Sequence, residues 1–326
     1  MRTMSLLERE GWDRFLAENN GSFLQSWGWA ECQKSQGIKF WRFCIGREEI
    51  LAVVQIFKES FLLGFRNFLY IPYGPCFKEN LSVKTRLKIL NLIYKEAKKI
   101  AKIESSVMLK IEPTTPWPKD IDAFRSFKRI QPKKTLIVNL KNSEEEIFKN
   151  LHPKTRYNIK LASRRGVKII KVKGSDKNDI DKHLGIFYRL IQDTARRDRF
   201  FIFDKKHYKS ILENLSSELF FAEYQDKFIS SCLVVFFDKR ATYLHGGSDY
   251  RWRRVMAPHL SQWVQIQEAK KRGCEEYDFW GIDEEKWPGL TRFKRGFRGG
   301  EIEYPYGKDF VFQGFWYGLY KFIRRF

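Results

Sequence analysis

The order of hydrophobic patterns repeats along the chain, and this repetition constrains the fold more than any single motif. In the first half, Ser5–Asn19 and Gln25–Ser35 read as helices. Strands follow at Trp41–Ile45, Leu51–Lys58 and Phe68–Pro72, then a long amphipathic helix at Ser82–Lys102, then strands at Ser106–Glu112 and Thr135–Leu140. The second half opens on a capping box, with Ser143 three residues before Glu146, and a basic helix, Lys154–Gly166. It continues with a strand (Val167–Val172), helices at Asp179–Thr194 and Lys205–Leu215, and strands at Leu219–Tyr224, Phe228–Asp238 and Arg240–Ser248. A helix (Ala257–Lys271) and a strand (Glu276–Trp280) follow, and Phe310–Phe326 reads as a basic aromatic helix. The 326 residues suffice for two domains of ~100–200 residues each. The expected fold class is therefore α/β (α+β), with two similar domains of mixed, mostly antiparallel sheets flanked by helices.

Charge narrows the partners. Lys and Arg number 61 against 39 Asp and Glu, a net charge of +22. Such an excess favours polyanions: nucleic acid, anionic lipid or phosphorylated substrates. A solvated basic surface is the alternative. The five cysteines (Cys32, Cys44, Cys76, Cys232, Cys274) form no CxxC, and the histidines form no HExxH pair. Reduced thiols, a cytoplasmic location and no metal are the expectations. The N-terminus is charged rather than a signal peptide, and no apolar run approaches the ~20 residues of a membrane span.

The densest motifs lie between Tyr243 and Tyr304. They are the glycine turn His245-Gly246-Gly247-Ser248, Ala257-Pro258-His259-Leu260 opening a helix, Tyr277-Asp278-Phe279-Trp280-Gly281-Ile282, and Gly289-Leu290-Thr291-Arg292-Phe293-Lys294-Arg295-Gly296-Phe297. Earlier come Phe23-Leu24-Gln25-Ser26 with Trp29, Tyr73-Gly74-Pro75, Ile111-Glu112-Pro113, Pro153-Lys154-Thr155-Arg156-Tyr157-Asn158-Ile159 and Arg197-Asp198. In their order and spacing these resemble the Fem family, aminoacyltransferases that add amino acids from aminoacyl-tRNA to peptidoglycan precursors.

The resemblance implies two acyltransferase-like domains of the acetyltransferase (GNAT) superfold with a cleft between them. The first would be residues 1–145, with the C-terminal helix 308–326 packed back on it, and the second residues 146–307. Some members carry a coiled-coil arm; no sustained heptad run occurs here, so the chain resembles the armless branch. The expected reaction moves an amino acid from aminoacyl-tRNA, a co-substrate rather than a cofactor, to the stem-peptide amine of a UDP-linked or lipid-linked muropeptide. A lipid-linked acceptor would bring peripheral contact with the inner face of the membrane. The aromatic C-terminal helix, tipped by Lys321, Arg324 and Arg325, suits such a boundary or packing on the first domain.

An ester on tRNA is already activated, so a well-placed neutral amine can attack it directly, provided the developing oxyanion is stabilised. Lys294, expected in a tight, aromatic-flanked loop between Phe293 and the Gly296-Phe297 turn, matches the lysine given that role in the family. Lys34 and Arg197 resemble positions that hold the precursor's diphosphate, by charge-assisted bonds. Trp29, Tyr73 and Tyr157 are further substrate-binding candidates by the same resemblance. Lys154 and Arg156, on the basic helix, are placed to meet tRNA or precursor phosphates. Glu112, at a strand end, is a candidate base for the attacking ammonium, with a structural ion pair as the alternative. An acetyl-CoA enzyme normally shows a glycine-rich pyrophosphate loop; the equivalent stretch here, Arg253 to His259, lacks the glycines, and Pro258 removes an amide donor. A non-catalytic RNA-binding protein would fit the charge, but no RNP, KH or zinc-knuckle pattern is present. Transfer to another acceptor, such as a lipid headgroup or small peptide, stays open.

Overall fold

The computed structural model describes residues 2–4, 7–62, 64–119, 121 and 123–324. Residues 5 and 6 of the first expected helix, and Arg325 and Phe326 of the last, lie outside the described residues. The chain divides into two compact units, Met1–Lys133 with Tyr304–Phe326, and Lys134–Glu303.

The first unit runs β1 (Arg2–Met4), α1 (Arg9–Glu18), α2 (Trp27–Ser35), β2 (Phe40–Gly46), β3 (Ile50–Phe61), β4 (Arg66–Pro72), β5 (Cys76–Phe77), α3 (Val83–Glu104), β6 (Met108–Glu112) and β7 (Phe124–Arg125). The second runs β8 (Lys134–Asn139), α4 (Glu144–Asn150), α5 (Pro153–Arg164), β9 (Lys168–Lys173), α6 (Lys177–Asp198), α7 (Lys205–Asn214), β10 (Ser217–Tyr224), β11 (Lys227–Phe237), β12 (Arg240–Ser248), α8 (Ala257–Lys271), β13 (Glu276–Gly281), α9 (Pro288–Arg295) and β14 (Gly300–Glu303). The chain then returns to the first unit through β15 (Lys308–Val311) and α10 (Gly314–Ile323).

The first sheet has eight strands in the order β1-β2-β3-β4-β6-β15-β7, with β5 beside β3; the second has seven, β14-β8-β13-β12-β11-β10-β9. One parallel pair interrupts each otherwise antiparallel sheet, β4 with β6 and β12 with β13. Helix α3 shows how sequence sets the local structure. Ser82 caps its first turn by accepting from the Thr85 amide, Ser105 ends it in the left-handed conformation, and Ile89, Ile93, Ala97 and Ile100 form a stripe buried against the sheet. Neither long helix, α3 or α6, exceeds 22 residues. Among the described residues no helix is long and apolar enough to cross a membrane.

Three expectations need correction. The strand at 134–139 was expected to finish the first half, but it lies in the second sheet between β13 and β14. The division therefore falls at Lys133/Lys134 rather than 145/146, and the return begins at Tyr304 rather than 308. An isolated strand pattern carries no record of its partner, which is why the sequence placed it wrongly. The glycine turn at 245–248 is instead the end of β12. Its glycines serve close packing: a Cβ on Gly247 would lie 2.5 Å from the Leu190 carbonyl oxygen of α6, and one on Gly246 would meet the Tyr243 hydroxyl. Gly247→Ala should therefore lower stability by about 1–3 kcal/mol. The urea midpoint of the full chain measures this, and an unchanged midpoint would show that α6 yields freely. Finally, Lys294 lies in a helix, α9, and not in a loop.

Within the first unit, the motif around Gln25 is a buried polar knot. The Gln25 side chain donates to the Pro72 carbonyl (2.8 Å) and accepts from the Gln55 main-chain amide (2.8 Å), and the main-chain carbonyl of Gln25 accepts from the Trp12 indole (2.8 Å). Gly74 is required beside it, because a Cβ there would lie 2.7 Å from the Gln25 side chain.

Candidate active site

In the second unit the pairing of β12 with β13 stops at Thr242 and Asp278. Beyond that point β13 is irregular and rejoins β8 at Gly281, while β12 carries Tyr243 and His245. Lys294 of α9 occupies the opening. Its ammonium donates to the Gly281 carbonyl (2.7 Å) and lies 5.6 Å from the centroid of the Tyr243 ring. The residue is 4% exposed. Burial in these surroundings drives its pKa down to about 7, against a weaker upward pull from Asp278. His245, half-buried, is held down at about 3, chiefly by desolvation and then by the charges of His207 and Lys294.

Helix α9 is anchored to the start of α5. The His152 amide donates to the Gly296 carbonyl (2.9 Å), and a Cβ on Gly296 would collide with the Thr155 hydroxyl. Phe293 packs edge-on against His259 at the start of α8 (5.0 Å), and the His259 ring meets the Asn158 amide at 3.2 Å. Burial brings the His259 pKa to about 4, so the ring is neutral near pH 7 and Nε2 can accept from Asn158. Asp278 is buried behind Lys294. It accepts from the Thr135 hydroxyl and the Trp280 amide, and burial raises its pKa. A buried amine with one fixed acceptor, held between two parting strands, can present a positive charge to an oxygen that becomes negative during reaction.

The remaining candidates divide between the units. In the second unit, Lys154 and Tyr157 of α5 are exposed, and the Arg156 guanidinium is tied to the Lys149 (2.6 Å) and Leu151 (2.5 Å) carbonyls. Arg156 is thus fixed to its own chain, which reduces its freedom to meet a phosphate. Of the three arginines that end α6, Arg197 is the one turned toward β12. It forms a two-bond pair with Asp198 (2.7 Å each) and lies over the Tyr250 ring at 5.2 Å, with the Ser248 carbonyl at 3.4 Å. Arg196 is 78% exposed and Arg199 caps the helix.

In the first unit, Lys34 lies in the last turn of α2 with its side chain 71% exposed and only a 3.9 Å approach to Glu31. Trp29 is half-buried, edge-on to Phe23 at 5.7 Å. Tyr73 is buried, donates to the Pro132 carbonyl (2.8 Å) and packs on Tyr304. Glu112 is a correction. It is fully buried, and its carboxylate accepts from the Tyr70 hydroxyl (2.8 Å) and from the Ile130 (2.7 Å) and Gln131 (2.9 Å) amides. The carboxylate holds the 130–131 segment in place; it is a structural tie rather than a base. Its saturation by backbone amides joins residues 18 and 19 apart, which no local pattern shows.

Sequence reading missed Tyr243 and His245 as neighbours of Lys294. Their spacing of two within a strand was the available signal, but the glycine pair that follows drew the stretch into a turn.

Comparison with known proteins places this geometry. The curated lipid II:glycine glycyltransferase of Staphylococcus haemolyticus (strain JCSC1435) is 25% identical to the chain, with 90% of the chain and 89% of that protein covered. The alignment spans 387 positions, more than the length of this chain, so the relative carries segments that this one lacks. The crystal structure of FemX superposes with a TM-score of 0.81 at 21% identity, covering 98% of this chain and 100% of that one. A tandem GNAT protein from the clavulanic acid biosynthesis pathway superposes at 0.54 with 8% identity, covering 84% and 83%. The fold is thus the tandem acetyltransferase-like one. With residues 7–128, 122–222 and 216–325 all matched by the model described as the FemAB family, the chain belongs to the FemAB family.

Proposed function

We propose that the chain transfers an amino acid from aminoacyl-tRNA to the stem-peptide amine of a lipid-linked muropeptide, building the interpeptide bridge of peptidoglycan. The observation that carries the reaction chemistry is Lys294, a buried amine aimed into the opening between β12 and β13. The choice of a lipid-linked over a UDP-linked acceptor is supported by the lipid II named for the staphylococcal relatives.

In this reading the neutral acceptor amine attacks the ester carbonyl of the donor. A C–N bond forms, and the carbonyl oxygen gains negative charge, which the protonated Lys294 meets. Collapse then breaks the C–O bond to the tRNA ribose, and the ribose hydroxyl leaves with a proton originating from the amine. No enzyme-bound covalent intermediate is required. The negative oxygen itself favours the protonated state of Lys294, offsetting the desolvation that lowers its pKa. Lys34 and Arg197 are the cations proposed to hold the diphosphate, and Lys154 the one for tRNA phosphates.

A transfer assay tests the reading. Radiolabelled aminoacyl-tRNAs are mixed with the full chain and with a lipid-linked muropeptide, a UDP-linked muropeptide, or phosphatidylglycerol. Label is expected on the lipid-linked muropeptide, and Lys34→Ala and Arg197→Ala should raise KM for it by about tenfold with little change in kcat. Label on phosphatidylglycerol alone would reassign the acceptor. Equal losses with an acceptor lacking the diphosphate would remove Lys34 and Arg197 from the proposed role.

A further inference from the structure

We propose that one end of the first unit, formed by the β3–β4 turn, the last turn of α3 and the outer face of α10, is a docking surface for an anionic lipid bilayer. The proposal rests on the reading above, in which the acceptor is held in a membrane.

The three elements are joined there. The Asn67 side chain at the start of β4 donates to the Glu104 carbonyl that ends α3 (2.9 Å), and Gln313, which precedes α10, donates to the Ser105 carbonyl (3.3 Å). The Arg66 guanidinium lies 3.8 Å from the ring centroid of Trp316 on α10. On this joined end each element turns a large apolar side chain outward. Phe65 is 75% exposed, Ile103 81% and Phe315 79%. Phe322, 59% exposed, stands two turns beyond Phe315 on the same side of α10, ~10.5 Å along the helix axis.

Helix α10 is apolar on both sides. Tyr317 and Tyr320 are buried, Tyr320 against Phe61 and Phe68, while Phe315 and Phe322 face away. A helix apolar all round is normally covered all round.

Charge decides the kind of cover. Lys102, Lys321 and Arg324 stand on the same two helices as the exposed apolar residues or at their ends, and Arg66 beside Phe65. The carboxylates at this end are already matched. Glu104 is paired with Lys58 (2.6 Å) and Lys39 (3.2 Å), and Glu59 lies in the field of Arg324. Lys102 and Arg66 are left beside the apolar anchors Ile103 and Phe65, and Lys321 and Arg324, which lie over the Tyr317 and Tyr320 rings on the other side of α10, add positive charge behind them. That combination fits the headgroup boundary of an anionic bilayer, with apolar tips below the phosphates and cations among them. A protein partner of ordinary composition would offer mixed charge instead.

The test is co-sedimentation of the full chain with vesicles of phosphatidylglycerol and phosphatidylcholine, against phosphatidylcholine alone. Binding to the anionic vesicles, weakened by salt, is expected. Phe65→Ser with Phe315→Ser should reduce the partition coefficient by at least about tenfold, and Ile103→Ser, on a separate element, should reduce it as well. These side chains are exposed, and circular dichroism verifies that the fold is kept. No binding by the unaltered chain, or binding indifferent to all three changes, overturns the proposal. So does a concentration-dependent dimer that the changes dissolve, since a second copy would then be the occupant. Transfer assays separate this proposal from the reaction itself. The double variant should keep its rate on a soluble acceptor lacking the lipid and lose rate only on the vesicle-held one. Failure of transfer to every acceptor sinks the proposed reaction while the vesicle result still decides the docking face.

Discussion

Lys294→Met is expected to lower kcat by about 10²–10³-fold with a small change in KM, the loss typical of one removed oxyanion donor. The pH dependence then separates two roles for the amine. If Lys294 acts as a cation, kcat/KM follows the neutral fraction of the acceptor amine multiplied by the protonated fraction of Lys294. For an acceptor of lysine type, with a pKa of ~10.4, the logarithmic profile climbs with unit slope below about 7, the pKa of Lys294, and is level above it. Lys294→Arg stays charged, so whatever rate it retains should keep climbing through that pH. A general base that takes its proton from the already neutral amine as it attacks would give a slope near two below 7 and near one above. That profile would falsify the oxyanion assignment.

The same substitution has an opposite effect on stability. Below pH 7 the folded chain carries a buried ammonium whose pKa has fallen from 10.5 to about 7, a penalty on the order of 4–5 kcal/mol. The unfolded chain holds this proton up to ~10.4. Between those values the unfolded state binds more protons, so the wild-type chain gains stability as pH rises. Methionine removes the penalty but leaves the Gly281 carbonyl without its donor, a loss of about 1–3 kcal/mol. The variant should therefore be equal to or more stable than the wild type below pH 7, with the difference shifting toward the wild type as pH rises to 10. Urea midpoints at a series of pH values measure this. A variant that is strongly destabilised at pH 6 would mean that Lys294 is held for folding rather than for chemistry.

The second large effect is expected at the ion pair that secures the returning segment. Lys110 of β6 and Asp309 of β15 are both fully buried and meet at 2.8 Å. Lys110 also donates to Ser126 and to the Lys128 carbonyl (3.1 Å), and the Tyr317 hydroxyl of α10 donates to the second Asp309 oxygen (3.0 Å). Removing one partner strands the other charge in the core, so Asp309→Leu should destabilise the first unit by about 3–5 kcal/mol. Adding Lys110→Met should restore most of that, because a buried pair replaced by apolar residues of similar volume is often neutral. The double-mutant cycle in urea, followed on the full chain, measures the coupling. If the double variant is as unstable as the single one, the pair contributes through packing and not through charge.

Much of the fold was legible because its signals are local. The apolar stripe of α3, the capping box at Ser143 and Glu146 and the β10–β11–β12 run lie within spans of a helix or a hairpin. Lys294 could be picked out by resemblance, since its neighbours Phe293, Gly296 and Phe297 lie beside it in sequence. The sequence could not reveal that β12 and β13 part beside it, since that depends on pairings among residues 240–242, 276–281 and 135. The same holds for Glu112, a candidate base in sequence and a saturated tie in the structure.

By itself the sequence determined the two-domain α/β class, the family and the surplus of positive charge, because periodicity, motif order and composition are properties of the chain read in one dimension. Only the tertiary structure decided which sheet owns the strand at 134–139, which of the arginines at the end of α6 lies toward β12, and that Lys294 is buried. Each of these follows from which surfaces lose water when distant segments pack. Desolvation, which moves the pKa of Lys294 to about 7, is a property of the packed volume around a group, and residues far apart in sequence build that volume.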